Sequence, residues 1–239
     1  MTSIPPKSRP LFGPPRAWRQ DDFVASDDRV RGGSSQSFLT PSATLTTARF
    51  HGVLDTTTLG GAGFASQRTV TSKMTWNLSD YSGIELDLAH GDGKKYTLNI
   101  KTVLPDKMDN GRDASTVEYA FSFVAPNEPC RIFAKWEDFK PFYRGKPVED
   151  AKPLDTSSIL RWSLMMRSFF EQQQGPFSVT IRSIKARLAA SDVASVDEEK
   201  ESEDSDWDDC DVDEKVADSA TTSTSQSNNS RSMRFCAIL

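Results

Sequence analysis

The stretch I-E-L-D-L-A-H-G-D-G-K-K-Y-T-L-N-I, residues 84–100, decides how this chain reads. Ile84, Leu86 and Leu88 alternate with Glu85 and Asp87, then a glycine-bearing turn follows, then Tyr96, Leu98 and Ile100 alternate with Thr97 and Asn99. Strict alternation places one parity of a strand in a core and the other outside, and two such runs joined by a short glycine loop predict a β-hairpin. The same period recurs outward in both directions. Ala48, Phe50 and Leu54 share a parity within 43–54, Phe64 to Val70 follows as a further strand, and Val117, Tyr119, Phe121 and Phe123 line one face beyond the hairpin. Arg131 to Ala134 reads as a short strand. Leu160, Trp162, Leu164 and Met166 form another set, and Phe177, Val179 and Ile181 mark the last strand, running to Leu188. Some eight to ten short strands without an amphipathic helix predict an all-β sandwich or barrel.

Charge divides the 239 residues unevenly. From Asp192 onward stand 14 acidic residues against Lys200, Lys215, Arg231 and Arg234, while the remainder is mildly basic. The expected organisation is an extended proline-rich arm at 1–15, a sandwich domain at 16–190, and a disordered tail at 191–239 that is acidic, then rich in Ser and Thr. No concentrated basic stripe argues for nucleic acid, and no apolar run approaches the ~20 residues of a membrane span. The first twenty residues carry Lys7, Arg9, Arg16 and Arg19, but Pro5, Pro6, Pro10, Pro14 and Pro15 oppose the amphipathic helix of a mitochondrial presequence, and no secretory signal is expected. Cys130, Cys210 and Cys236 are too few and too scattered for a disulfide framework or a zinc site.

Several segments together resemble the complex I intermediate-associated protein 30 family. They are D-R-V-R-G-G-S-S at Asp28 to Ser35, F-H-G-V-L at Phe50 to Leu54, G-G-A-G-F-A-S-Q-R at Gly60 to Arg68 and Y-S-G-I-E-L-D-L from Tyr81. Gly91-Asp92-Gly93 with Tyr96, D-F-K-P-F-Y-R-G at Asp138 to Gly145, and G-P-F-S-V-T-I at Gly175 to Ile181 complete the ordered set. The resemblance covers roughly 16–188 and implies a jelly-roll β-sandwich of the galactose-binding-domain-like type. It also implies a non-enzymatic assembly factor, chaperone-like in binding unfolded protein, that serves mitochondrial respiratory complex I.

The chain ends in Cys236-Ala237-Ile238-Leu239, a C-a-a-X prenylation signal whose terminal leucine favours geranylgeranyl. Cys236 is therefore the expected lipidation site. One prenyl chain alone holds a protein only marginally, so a reversible peripheral membrane tether is expected. The corresponding location is cytoplasmic and membrane-peripheral; the alternative, drawn from the resemblance, is the mitochondrion.

Candidate contacts for a protein client sit on turns: Asp28, Arg29, Arg31, Gly32, Gly33 and Ser34, then Gly60, Gly61, Gly63 and Arg68, then Trp136 and Arg144. The plainer reading is that the glycines serve turns and the charges pair locally. Asp27, Asp28 and Asp55 offer oxygen atoms, but not at the spacing of a calcium loop, and no metal or cofactor is expected. His51 and His90 have no nucleophile in motif context, so no catalytic residue is nominated. Carbohydrate or small-ligand binding is the alternative function, with Trp76 and Trp136 as open stacking candidates and Trp162 expected in the core.

Overall fold

In the computed structural model, residues 6–70, 75–107, 109 and 113–189 are described. Cys236 and the expected tail lie outside them, as do residues 1–5 of the expected arm, Met108, and residues 110–112 ahead of the run from Val117 to Phe123.

Thirteen strands occur among the described residues: β1 (Ser8–Phe12), β2 (Phe23–Ala25), β3 (Gln36–Pro41), β4 (Ala48–Leu54), β5 (Phe64–Thr69), β6 (Gly83–His90), β7 (Lys95–Lys101), β8 (Glu118–Val124), β9 (Cys130–Lys135), β10 (Lys140–Tyr143), β11 (Lys146–Pro147), β12 (Arg161–Arg167) and β13 (Gly175–Arg187). Every pairing is antiparallel. The first sheet has the order β3-β4-β13-β6-β9, with β1 also on β13. The second has the order β11-β10-β8-β7-β12-β5-β2. The architecture is a jelly-roll type of β-sandwich: the alternation predicts a sandwich or barrel, and the jelly roll is what the family resemblance implies.

The expectation of a β-hairpin at 84–100 is corrected: β6 lies in the first sheet and β7 in the second, so the two strands do not pair and the turn between them crosses from one layer to the other. Their two apolar parities therefore face each other across the core rather than pairing side by side. Ile84, Leu86 and Leu88 are fully buried, and so are Tyr96, Leu98 and Ile100 to within 1%. Phe50 and Phe177 of the first sheet meet Tyr96 of the second with ring centroids 6.1 and 6.2 Å apart, both edge-on. Each such large side chain contributes about 1.5–3 kcal/mol by leaving water.

The N-terminal residues correct the expectation of an arm. Ser8–Phe12 is a strand, registered from Ser8 against Arg187 to Phe12 against Ile184. Leu11 and Phe12 are buried, and Phe12 stacks on Trp18, whose indole N–H donates to the carbonyl of Arg182. Proline at position 10 is tolerated because β1 pairs on one side only. The thirteen-residue β13 serves as the spine: β6 runs along one edge, while the other edge is shared by β4 from Gly175 to Ile181 and by β1 from Ile184 onward.

Candidate functional site

The charged turn before β3 is a structural corner. Asp28 is wholly buried, and its carboxyl accepts from the Ser35 amide at 3.0 Å, the Ser35 hydroxyl at 2.6 Å and the Phe64 amide at 3.0 Å. Asp27, 3% exposed, accepts from the Ser37 amide and hydroxyl and from the Ser66 amide. The two side chains thus tie the sheets together: Asp27 reaches Ser37 of β3 and Ser66 of β5, and Asp28 reaches Ser35, just before β3, and Phe64 of β5, one oxygen of each carboxyl taking both the serine hydroxyl and the β5 amide. Gln67 completes the arrangement by donating to the carbonyl and hydroxyl of Ser37. A free sheet edge invites pairing with other chains, and here part of β3's edge is satisfied from within.

Two glycines are fixed by the close approach. A Cβ on Gly33 would stand 2.4 Å from the Asp28 carboxyl, and one on Gly63 would stand 2.1 Å from the Asp55 carbonyl oxygen. Gly32 closes the short 3-10 turn of Asp28–Arg31 in the left-handed conformation, at φ 85°. Asp28 is consequently corrected from a partner contact to a structural residue, its carboxyl spent inside the fold, and Gly33 lacks room for a side chain because that carboxyl stands against it. The oxygens of Asp27 and Asp28 face N–H and O–H donors, an arrangement that would repel a cation, and among the described residues no group of acids, His or Cys could hold a metal.

Around this corner three loops meet, at 26–35, 55–63 and 168–174. The hydroxyls of Ser34 and Thr58 are 3.1 Å apart, the Thr56 hydroxyl donates to Gln174, and the Ser168 amide donates to the Gly63 carbonyl. Asp55 accepts from the Thr57 hydroxyl at 2.7 Å and the Thr58 amide at 3.0 Å, and these bonds, Thr57 first, lower its pKa to about 2. In the third loop Phe169, Phe170 and Glu171 are all left-handed, with φ of 46, 57 and 67°. Left-handed geometry costs a residue with a Cβ about 1–2 kcal/mol, and such strain concentrates at functional positions. Its product is Phe170, 85% exposed at the tip. Glutamine anchors the loop behind it: Gln173 donates to the carbonyls of Lys95 and Arg167 and accepts from the Lys95 amide.

Of the nominated residues, Arg29, Arg31, Gly32, Ser34, Gly60 and Gly61 belong to these loops, and Arg31 lies over the Phe64 ring at 5.5 Å. Trp136 and Arg144 do not join them. The Trp136 indole donates to the Tyr81 carbonyl and Arg144 donates to Ser115, beside the opposite strand ends. Arg68 points outward from the second sheet toward Asp113. Trp76 and Trp162 are both core residues, 6.4 Å apart and edge-on. His51 stacks on Phe38 and bonds Thr40; His90 bonds the Asn127 carbonyl. Sequence reasoning missed Phe170, and it missed the outward cations of β7 and β12, which strand pairing alone brings together.

The sequence pattern of the complex I intermediate-associated protein 30 family matches residues 12–181. The chain belongs to that family. Another relative of this complex I intermediate-associated protein 30 domain is the uncharacterized protein C9E9.15 of Schizosaccharomyces pombe, 46% identical over 180 residues, which are 74% of this chain and 82% of the relative. Among solved structures the domain is similar to the family 11 carbohydrate-binding module of the cellulosomal cellulase Lic26A-Cel5E of Clostridium thermocellum, with TM-score 0.51 and 14% identity over 76% of this chain and 95% of the module. A family 11 module from the same organism, solved in complex with a β-1,3-1,4-mixed-linked tetrasaccharide, gives TM-score 0.50 and 13% identity over 76% and 96%. At such identities the likeness is one of fold.

Proposed function

We propose that this chain is a non-catalytic protein-binding module of the assembly-factor type, holding an incompletely assembled client at the three-loop end of the sandwich. The family's name supports a role in complex I assembly. The observation that carries the mode of action is Phe170, an aromatic ring held 85% exposed on a turn of three consecutive left-handed residues. Exposed rigid aromatics are what anchor interfaces, and the glutamine and aspartate bonds beneath fix its position before any partner arrives. Chaperone-like binding of unfolded client segments follows the same surface. Attachment to a membrane through a prenyl group on Cys236 is the second part of the proposal and keeps the module peripheral. Among the described residues no helix is long and apolar enough to cross a membrane.

The deciding experiment deletes the gene and measures assembled complex I, then restores either the natural chain or Phe170→Asp. Reduced complex I, recovered by the natural chain and not by the variant, is the expected result. Normal complex I in the deletion overturns the assembly role; equal rescue by both chains overturns the Phe170 contact. A second reading, carbohydrate or small-ligand binding, draws on the fold shared with a module solved with a bound tetrasaccharide. Calorimetric titration with that mixed-linked tetrasaccharide separates the two, because saturable heat supports only the second.

A further inference from the structure

Strand pairing assembles a basic surface from positions scattered along the chain. The outward side of the second sheet carries Lys95 and Lys101 from β7, Arg161 and Arg167 from β12, Arg68 from β5 and Lys140 from β10. Two carboxylates stand among them. Asp113 takes Lys107 at 2.6 Å, Arg161 at 3.6 Å and Arg68 at 3.9 Å, and these partners hold its pKa below the usual carboxylate range, the Lys107 hydrogen bond first. Glu118 takes Arg167 at 3.8 Å. Positive charge is left in clear excess.

Much of this charge is withdrawn from water. The side chains of Arg161 and Arg167 are 11% and 15% exposed, and burial lowers the pKa values of Lys101, Arg161 and Arg167. Beneath them Thr97 and Asn99, although on the outward parity, are 0% and 1% exposed, so the longer side chains close over them. Among the described residues, two polar atoms in this layer, Asn99 Oδ1 and Arg167 Nε, are buried with no hydrogen-bond partner. Crowded, partly desolvated cations repel one another, and an added anion relieves that repulsion more strongly here than it would in bulk water.

The geometry points to an anion-binding surface, and we propose that it takes a Glu/Asp-rich polypeptide segment of a partner protein lying across β7 and β12. Asp113 already demonstrates the fit, since a carboxylate sits between two arginines and a lysine on this face. The neighbouring rings favour polypeptide over single-stranded nucleic acid. Phe142 and Phe169 flank the Arg167 guanidinium, each at 5.7 Å, and Lys95 lies 4.8 Å from the Phe169 centroid. Rings occupied by their own cations are not open platforms for base stacking. Val24 and Val124, 40% and 49% exposed on the same side, supply apolar contacts at the margins.

The surface adjoins the three-loop client site, since Lys95 and Arg167 both lie against Phe169, and its test is kept apart by reading binding of a defined peptide rather than complex I. The full chain is titrated with a fluorescent Glu/Asp-rich peptide, the matching Gln/Asn peptide and poly-uridine RNA, by anisotropy at low salt and at about 0.15 M. The acidic peptide alone is expected to saturate, with affinity falling as salt rises. Lys95→Glu combined with Lys140→Glu is expected to weaken it at least about tenfold, while Arg49→Glu, on the other sheet, leaves it unchanged. Thermal melts accompany each variant to establish that it is folded. Equal binding of the Gln/Asn peptide, no binding of the acidic peptide at low salt, no loss in the folded double variant, or tighter binding of RNA overturns the proposal.

Discussion

Asp28 illustrates how a charged motif can be invisible from outside the molecule. Its carboxyl is the shared acceptor of three donors, two from Ser35 just before β3 and one from Phe64 of β5, so its loss leaves the Ser35 and Phe64 amides without that partner in a dry corner. Asp28→Ala should cost about 3–5 kcal/mol in denaturant unfolding, by the mechanism of stranded buried donors. Asp55 is the titratable counterpart on the surface. A carboxylate whose folded pKa is depressed stabilises the fold above its unfolded value and loses that contribution as pH falls. With Asp55 at about 2 folded and roughly 3.9 unfolded, the loss runs from about pH 4 down to about pH 2. An NMR titration of its carboxyl carbon should find the midpoint near 2, and Thr57→Val should raise it. The composition of Asp28 to Ser35 announces a turn, and Gly32 does adopt the positive φ expected of one. The burial of Asp27 and Asp28 was not legible, because nothing local distinguishes a carboxyl facing water from one facing the amides of β5, a strand roughly thirty-six residues away.

At the scale of elements, the 168–174 loop stores strain that a single substitution can release. Glu171 needs the left-handed region and has a Cβ; glycine there should raise stability by about 0.5–1 kcal/mol, net of glycine's greater unfolded freedom. Thermal unfolding of Glu171→Gly checks this, and an unchanged or lowered midpoint would show that the turn is not strained. Alternation made β6, β7, β8, β12 and β13 legible, since Ile84, Tyr96, Phe121, Trp162 and Phe177 all lie on the buried parity read from the sequence. It could not reveal β1, where Pro10 and the flanking cations read as an arm. Nor could it show that β5 and β12 sit side by side, which is what brings Arg68 and Arg161 to the same carboxylate. The loop at 136–145 lies at the far strand ends for the same reason: spacing along a chain does not report which end of a sandwich a loop occupies.

For the whole molecule, membership of the family and a two-sheet sandwich agree with the resemblance read from ordered motifs, while the proposed membrane attachment rests on Cys236. Replacing Cys236 by Ser should move the protein from the membrane fraction to the soluble fraction, with loss of the prenyl mass; an unmodified intact mass in the natural protein would end that part of the proposal. β13 has one further consequence. Its second half takes its ladder on one side from a five-residue strand at the very start of the described chain. A protein cut back to begin at residue 16 would keep most of its core yet bare one edge of β13 over the four residues from Ile184 to Arg187. Backbone groups so exposed are filled by whatever strand is nearest, and at high concentration that is the first strand of an intact copy or the edge of another shortened one. Proteolysis at the proline-rich segment should therefore yield oligomers rather than a smaller soluble monomer.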